Sequence, residues 1–236
     1  MSEAAETTIK SAASSPKDAI IEALLDLAGE RHWEDIPLAD VAARANVSLS
    51  TFRDFFPSKG AVLAAFMRKI DKIVLDGAGS IDTDLPPKEQ LFEVFLRRLA
   101  ALKPYRPGLE SISEWSLRDP LGATALNKEA VNSMRFMLEA AGIDSEGPMG
   151  ALKLQGLAFA WRRVLTTWFT DDSPDLAATK SVLEHELARG GAVLSRVEDV
   201  ARLTAPLFSI ARSFLERRRG ATYAEANKED STPTTF

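Results

Sequence analysis

The sequence predicts an all-α protein. Apolar residues recur at helical spacing along most of the chain, and almost no segment shows the strict alternation of a strand. The clearest break is a run of glycine, aspartate and proline residues between positions 77 and 87. We therefore expect an N-terminal helical domain over residues 16–75 and a second over 76–220. The polar ends, 1–15 and 221–236, are expected to be disordered tails.

Composition narrows the class of protein. Of 236 residues, 45% are hydrophobic and 27% are charged, which is typical of a soluble globular chain. No apolar run approaches the ~20 residues that cross a bilayer, and the N-terminus lacks a signal-peptide layout. Cysteine is absent, and His32 and His185 lie far apart without other ligands at helical spacing. We expect a cytoplasmic protein with no membrane partner, no metal and no cofactor.

The first helix is expected to begin at Pro16, because proline suits the first helical turn. Its apolar stripe covers residues 20–28, and Trp33 and Ile36 then anchor the connection to a second helix. That helix is LADVAARA, residues 38–45, in which small alanines on the inner face allow another helix to cross closely.

The next residues have the chemistry of a tight turn between two helices. Asn46 tolerates the left-handed backbone with which a chain leaves a helix, and Ser48 is a good N-cap for the helix that follows. Phe52 and Phe56 are four residues apart and should face one core. Pro57 ends this helix, and the next starts at Ser58. The pattern predicts a helix-turn-helix, a common DNA reader.

The segment resembles the N-terminal domain of TetR-type transcriptional repressors. The residues that carry the resemblance are Ala45-Asn46-Val47-Ser48, then Thr51-Phe52-Arg53-Asp54-Phe55-Phe56, then Ser58-Lys59-Gly60-Ala61-Val62. The match covers about residues 17–73. Two departures concern the reading helix, where Arg53 replaces the usual tyrosine and Phe55 replaces the usual histidine or tyrosine.

The resemblance implies that the helix over 49–56 enters the major groove of double-stranded DNA at a palindromic operator. It implies phosphate contacts by Ser48, Thr51, Arg53 and Lys59, and base-edge contacts by Leu49, Ser50 and Asp54. The net charge is −5, but residues 36–72 hold six basic and three acidic side chains, a local balance of +3. The alternative interpretation of the motif is a helical hairpin that binds no DNA.

Helical patterns continue after residue 87. They cover residues 89–102, 109–117, 121–141, 149–169, 174–189 and 196–219, with Gly190-Gly191 ending the fifth of them. The helix over 149–169 is apolar on more than one face and should be buried on two sides. We expect it to pair with 174–189 and with the same helices of a second copy, forming a homodimer. The last helix either packs in the protein or lies on a membrane surface, and its mixed charges favour packing.

This second half also resembles, in layout, the regulatory half of TetR-type proteins, which holds a ligand cavity. The resemblance implies a cavity for a small hydrophobic or amphipathic effector, because few charged residues lie on these faces. The candidate lining residues are Phe95, Trp115, Met134, Phe136, Met137, Trp161, Val164 and Trp168. These residues could equally be plain core, which is the default for aromatic side chains at helical spacing.

The sequence contains no motif of a hydrolase, a phosphate-binding loop, a zinc protease or a dinucleotide site, so we do not expect an enzyme. The favoured function is a homodimeric transcriptional repressor released by its effector. The alternative rests on Trp161, Trp168 and the acidic run at 171–175, followed by Thr179, Leu183 and Leu187. This segment resembles the C-terminal part of COQ9-type proteins, which have the same fold and bind lipids without binding DNA.

Overall fold

The computed structural model describes residues 15–194 and residue 196. The described residues up to Ala188 belong to one compact unit, and those from Arg189 onward belong to a second. The predicted tails lie outside the described residues, apart from Ser15, as does the predicted last helix, apart from its first residue. The proposed division near residue 76 stays a prediction.

Nine helices and three short 3-10 turns make up the described part of the chain, and no strand occurs in it. The all-α prediction is confirmed. None of these helices is long and apolar enough to span a membrane. The helices are α1 (Pro16–Glu30), α2 (Leu38–Arg44), α3 (Leu49–Phe55), α4 (Lys59–Asp76), α5 (Pro87–Leu102), α6 (Arg106–Ser116), α7 (Pro120–Ala140), α8 (Gly147–Trp168) and α9 (177–194).

The N-terminal helices follow the expected pattern. The stripe of α1 is buried, and Trp33 and Ile36 join it in the core. Ser15 caps α1 by accepting a hydrogen bond from the backbone N–H of Asp18 at 3.2 Å. Burial of this stripe against α2, α4 and α6 supplies the hydrophobic free energy that holds these elements together.

The bounds of α9 differ from the prediction at both ends. The helix was expected to begin at Pro174 and to end before Gly190-Gly191, but it begins at residue 177 and continues through both glycines. It begins late because Leu176 has a left-handed backbone with φ of 55°, which a right-handed helix cannot contain, and Ser173 Oγ then accepts from the N–H of Ala177 at 3.0 Å. It continues because glycine costs a helix about 1 kcal/mol relative to alanine, which weakens the helix without ending it.

Helix α8 buries one face within the described chain. Leu154, Trp161 and Trp168 line its buried side, whereas Leu152 and Phe159 on the other side are 45% and 58% exposed. Burial on two sides was expected from the sequence. Among the described residues, only one side of α8 is covered.

Helix α6 crosses α1 at very short range. A Cβ atom added at Gly108 would lie 2.4 Å from the carbonyl oxygen of Leu25, a distance shorter than real Cβ contacts. On the α1 side, Gly29 faces Pro107, and a Cβ atom added at Gly29 would lie 3.2 Å from the proline Cβ. At the far end of α6, the ring of Trp115 lies 5.2 Å from that of Trp33. Glycine at 108 is therefore a requirement of the crossing.

We expect Gly108→Ala to lower the free energy of unfolding by roughly 1–3 kcal/mol, because the methyl group overlaps backbone that cannot move aside easily. Denaturant unfolding would measure this change. Gly60→Ala is the matched control, since its added Cβ meets only Ser58 Oγ at an ordinary 3.8 Å. Equal stability of the two variants would contradict the close crossing.

The acidic run before α9 gives a pH-dependent contribution to stability. The carboxylate of Asp171 accepts hydrogen bonds from the N–H and the hydroxyl of Thr179, at 2.8 and 2.7 Å, and from Ser173. These donors favour the charged carboxylate and hold the pKa of Asp171 well below its ordinary value of 3.8.

A depressed pKa stabilises the fold above the ordinary value, and this stabilisation is lost as pH falls toward the lower folded-state value. Asp171→Asn should therefore destabilise the protein near neutral pH, with a deficit that shrinks as pH falls below about 4. Thermal unfolding between pH 7 and pH 3 would measure the gap. Asp172→Asn, at an exposed neighbour, is the control and should show no comparable trend. A deficit independent of pH would exclude this role for Asp171.

Candidate functional site

The turn before α3 has the geometry expected from its sequence. Asn46 adopts a left-handed backbone with φ of 53°. Ser48 is the N-cap of α3, and its Oγ accepts a hydrogen bond from the N–H of Thr51 at 3.0 Å. At the other end, Ser58 caps α4 by accepting from the N–H of Ala61. The N-terminal end of α3 is thus held by the Ser48 cap, and its C-terminal end by the hydrogen bond from the N–H of Phe56 to the carbonyl of Phe52.

Helix α3 has one buried and one exposed face. Phe52 is buried, and its ring packs 6.2 Å from that of Phe56, which follows the helix. The opposite face is open to solvent. It presents Leu49 (52% exposed), Ser50, Arg53, Asp54 and Phe55 (44% exposed), while Thr51 is half-buried. The predicted base-reading residues thus share one exposed face.

Most basic side chains of the segment 36–72 are already paired. Arg44 forms two hydrogen bonds with Glu30, at 2.9 and 2.7 Å, and Lys72 pairs with Asp76 at 2.8 Å. Lys69 lies 2.7 Å from Glu22, and Arg68 lies 4.0 Å from Glu129. In the part of the chain that the structure describes, the side chain of Arg53 has no such partner. It is therefore the basic side chain of this segment whose donors are all free for a ligand.

The side chain of Lys59 contacts Trp33, in the segment between α1 and α2. Its ammonium donates to the carbonyl oxygen of Trp33 and lies 4.8 Å from the centroid of the Trp33 ring. Partial burial lowers the pKa of Lys59 below its ordinary value. The ammonium has three N–H donors, and this hydrogen bond uses one of them.

A cavity of about 550 Å³ lies next to this contact. Helices α4, α6, α7 and α8 supply most of its walls, and Trp33 belongs to them as well. The walls are mainly apolar and include Trp33, Leu63, Met67, Ile112, Trp115 and Trp161. The volume lies within the range of pockets that hold small molecules.

The eight predicted lining residues fall into three groups in the structure: the cavity wall, the surface and the core. Trp115 and Trp161 line this cavity. Phe136 lies on the surface of α7 and is 49% exposed. The remaining five, Phe95, Met134, Met137, Val164 and Trp168, are buried in the core. The stacked rings of Phe95 and Trp161, 4.9 Å apart, connect that core to the cavity wall.

The sequence reasoning missed a buried ion pair at the cavity wall. Arg98 lines the cavity, is fully buried, and donates from Nη1 to Asp71 and from Nη2 to Ser133 at 3.2 Å. Ser133 in turn donates to Asp71 at 2.7 Å. Burial lowers the pKa of Arg98, and the neighbouring carboxylate of Asp71 opposes this effect. The sequence did contain a signal for this pair, because both charged residues lie within apolar stripes. Arg98 follows Leu91 by seven residues, and Asp71 is next to Ile70.

The described residues include no group of three or more side chains arranged to hold a metal ion. The candidate site consists of two features that are neighbours in the fold. One is the exposed face of α3, and the other is an apolar cavity with a buried arginine in its wall and Trp33 on the side of the reading helix.

Comparisons with known proteins support the architecture. No family model matches the sequence, and no curated protein does. Among solved structures, a TetR transcriptional regulator from Nitrosomonas europaea ATCC 19718 superposes with a TM-score of 0.60 at 23% identity, covering 75% of this chain and 99% of that chain. A TetR transcriptional regulator from Rhodococcus sp. RHA1 gives 0.56 at 20% identity, covering 74% and 94%.

A TetR-family transcriptional regulator from Streptomyces coelicolor gives a TM-score of 0.53 at 15% identity and covers 82% of this chain and 88% of that chain. These similarities extend over nearly the whole length of each neighbour. They reach well beyond the helix-turn-helix that the sequence resemblance covered. The chain has the fold of TetR-family transcriptional regulators.

Proposed function

We propose that this protein is a DNA-binding transcriptional regulator that acts as a homodimer. The observation that carries the proposal is the exposed face of α3. It presents Arg53, which has no intramolecular partner among the described residues, beside Leu49, Ser50 and Asp54, on a helix held at both ends and from behind. Its resemblance in sequence and fold to TetR-type regulators supports the same function.

In the proposed complex, α3 lies in the major groove. Ser48, Thr51 and Arg53 hold phosphates, while Leu49, Ser50 and Asp54 reach base edges, Asp54 accepting from a cytosine amino group. Lys59 would add a phosphate contact through the N–H donors that Trp33 does not use. Because neighbouring cations are paired with carboxylates, the electrostatic attraction rests on few side chains, and binding should be modest in strength and sensitive to salt.

The second part of the proposal is regulation by a small apolar molecule in the cavity. The cavity walls include Trp33, which contacts Lys59 at the start of α4. A molecule bound there would alter DNA binding only if it favoured one of two arrangements of these elements. We propose that ligand binding releases the DNA, so that the protein represses transcription when no ligand is bound.

The alternative, a lipid-binding protein without DNA binding, rested on residues near the end of α8. The structure gives these residues packing and capping contacts. Trp168 is buried, and Asp171 accepts from Thr179 at the start of α9. These contacts favour no particular ligand, so the regulator is the better-supported function.

Arg53→Ala should weaken binding to DNA of any sequence, because it removes a phosphate contact. It should also shallow the dependence of log K on log salt by about one unit. An electrophoretic mobility shift at several salt concentrations, with the DNA that flanks the gene, would measure both. Arg135→Ala, which removes an exposed arginine of α7, is the matched control. No shift by the unaltered protein at low salt would overturn the DNA-binding proposal and favour the lipid-binding alternative.

The homodimer proposal places the exposed side of α8 against a second copy. Leu152, Gly156 and Phe159 lie at helical spacing on that side. Phe159→Glu should shift the protein toward monomer by burying a charge at the interface, as measured by sedimentation at micromolar concentration. Leu121→Glu is the control, since Leu121 is 83% exposed at the start of α7. A stable monomer before any substitution would contradict the proposed assembly.

A further inference from the structure

The buried arginine in the cavity wall has an unused donor. Arg98 gives Nη1 to Asp71 and Nη2 to Ser133, but its Nε has no hydrogen-bond partner within the described part of the chain. The residue is fully buried and also lines the cavity. A buried N–H of a charged group that lacks a partner is costly, and such a group calls for an explanation.

We propose that the cavity binds an apolar molecule carrying a neutral oxygen acceptor, such as a ketone or an ester, and that this acceptor hydrogen-bonds to the guanidinium of Arg98. The inference rests on the proposed regulatory function and specifies the chemical class of its effector. The apolar part of the molecule would lie against Trp33, Leu63 and Trp115.

The charges around Arg98 select a neutral acceptor over an anionic one. The carboxylate of Asp71 already balances the guanidinium. The other charged residues of the lining, Lys128, Glu129 and Arg162, are exposed or half-buried, so Arg98 is the buried cation among them. A ligand carboxylate at Arg98 would therefore bring a second negative charge beside one buried cation, and its desolvation would be poorly compensated. A cationic ligand would face Arg98 itself. A carbonyl oxygen satisfies the free donor without adding charge.

The donor is also well positioned. The guanidinium carbon of Arg98 lies 5.7 Å from the centroid of the Trp161 ring, and Nη1 approaches the sulfur of Met137 at 3.6 Å. With Asp71 and Ser133, these contacts hold the planar group in place from several sides. A preorganised donor loses little freedom on binding, so one hydrogen bond can discriminate between ligands. Trp161 lies close enough for its fluorescence to respond.

The experiment compares two probes of equal length, 2-decanone and decanoate, by titration of tryptophan fluorescence. We expect 2-decanone to bind roughly tenfold more tightly than decanoate at pH 7.5. The double variant Asp71→Asn/Arg98→Met removes both charges while the new amide can still bond to Ser133. It should weaken 2-decanone binding roughly tenfold, because the donor to its carbonyl oxygen is lost.

Arg98→Lys is a milder second variant, which keeps a cation beside Asp71 but lacks Nε, and it too should weaken 2-decanone binding. Arg97→Met is the matched control, because Arg97 also has a buried, unpartnered Nε but is not among the cavity-lining residues; it donates to the carbonyl of Gly77 instead. Circular dichroism verifies that each variant is folded.

Tighter binding of decanoate, an unchanged affinity for 2-decanone in a folded Arg98 variant, or failure of both probes to bind would overturn the inference. The mobility shift without any ligand tests the proposed function separately. Binding of 2-decanone that depends on Arg98, in a protein that shifts no DNA, would support the ligand class while overturning the regulatory role.

Discussion

The close crossing of α1 and α6 is the constraint on which the rest of this structure depends. Glycine at 108 allows the backbone of α6 to approach the carbonyl of Leu25, and no larger residue fits there. This places the far end of α6 against the N-terminal helices, where Trp115 meets Trp33. The cavity exists because α6, held in this way, leaves space between itself and α4, α7 and α8. One backbone contact thus positions both the scaffold of the reading helix and the wall of the cavity.

A second constraint holds the other side of the cavity. Asp71, Arg98 and Ser133 come from α4, α5 and α7, so their hydrogen bonds join three helices around one buried charge pair. Removing one partner would leave an uncompensated buried charge, which is far more destabilising than removing both. Such a pair adds little net stability compared with well-packed apolar residues. Its presence in a cavity wall is better explained by the polar group that it offers to a ligand.

The sequence predicted those parts of the structure that depend on local chemistry. The turn at Asn46, the cap at Ser48 and the exposed face of α3 follow from neighbouring residues, and all three are observed. The cavity wall depends instead on which helix faces meet across the chain. Trp115 and Phe136 were equally good candidates by type and spacing, yet Trp115 lines the cavity and Phe136 lies on the surface. Long-range packing decided between them, and periodicity along one helix contains no information about it.

The position of Lys59 connects these constraints in the proposed regulator. Its ammonium is bound by the carbonyl of Trp33, a residue that is also part of the cavity wall. The other two N–H donors of the ammonium remain for a phosphate. A ligand that packs on Trp33 would affect a phosphate contact by Lys59 only through the position of the indole ring and of the ammonium beside it. Release of the DNA would follow from a ligand that favours an arrangement of Trp33 in which Lys59 is held away from the phosphate.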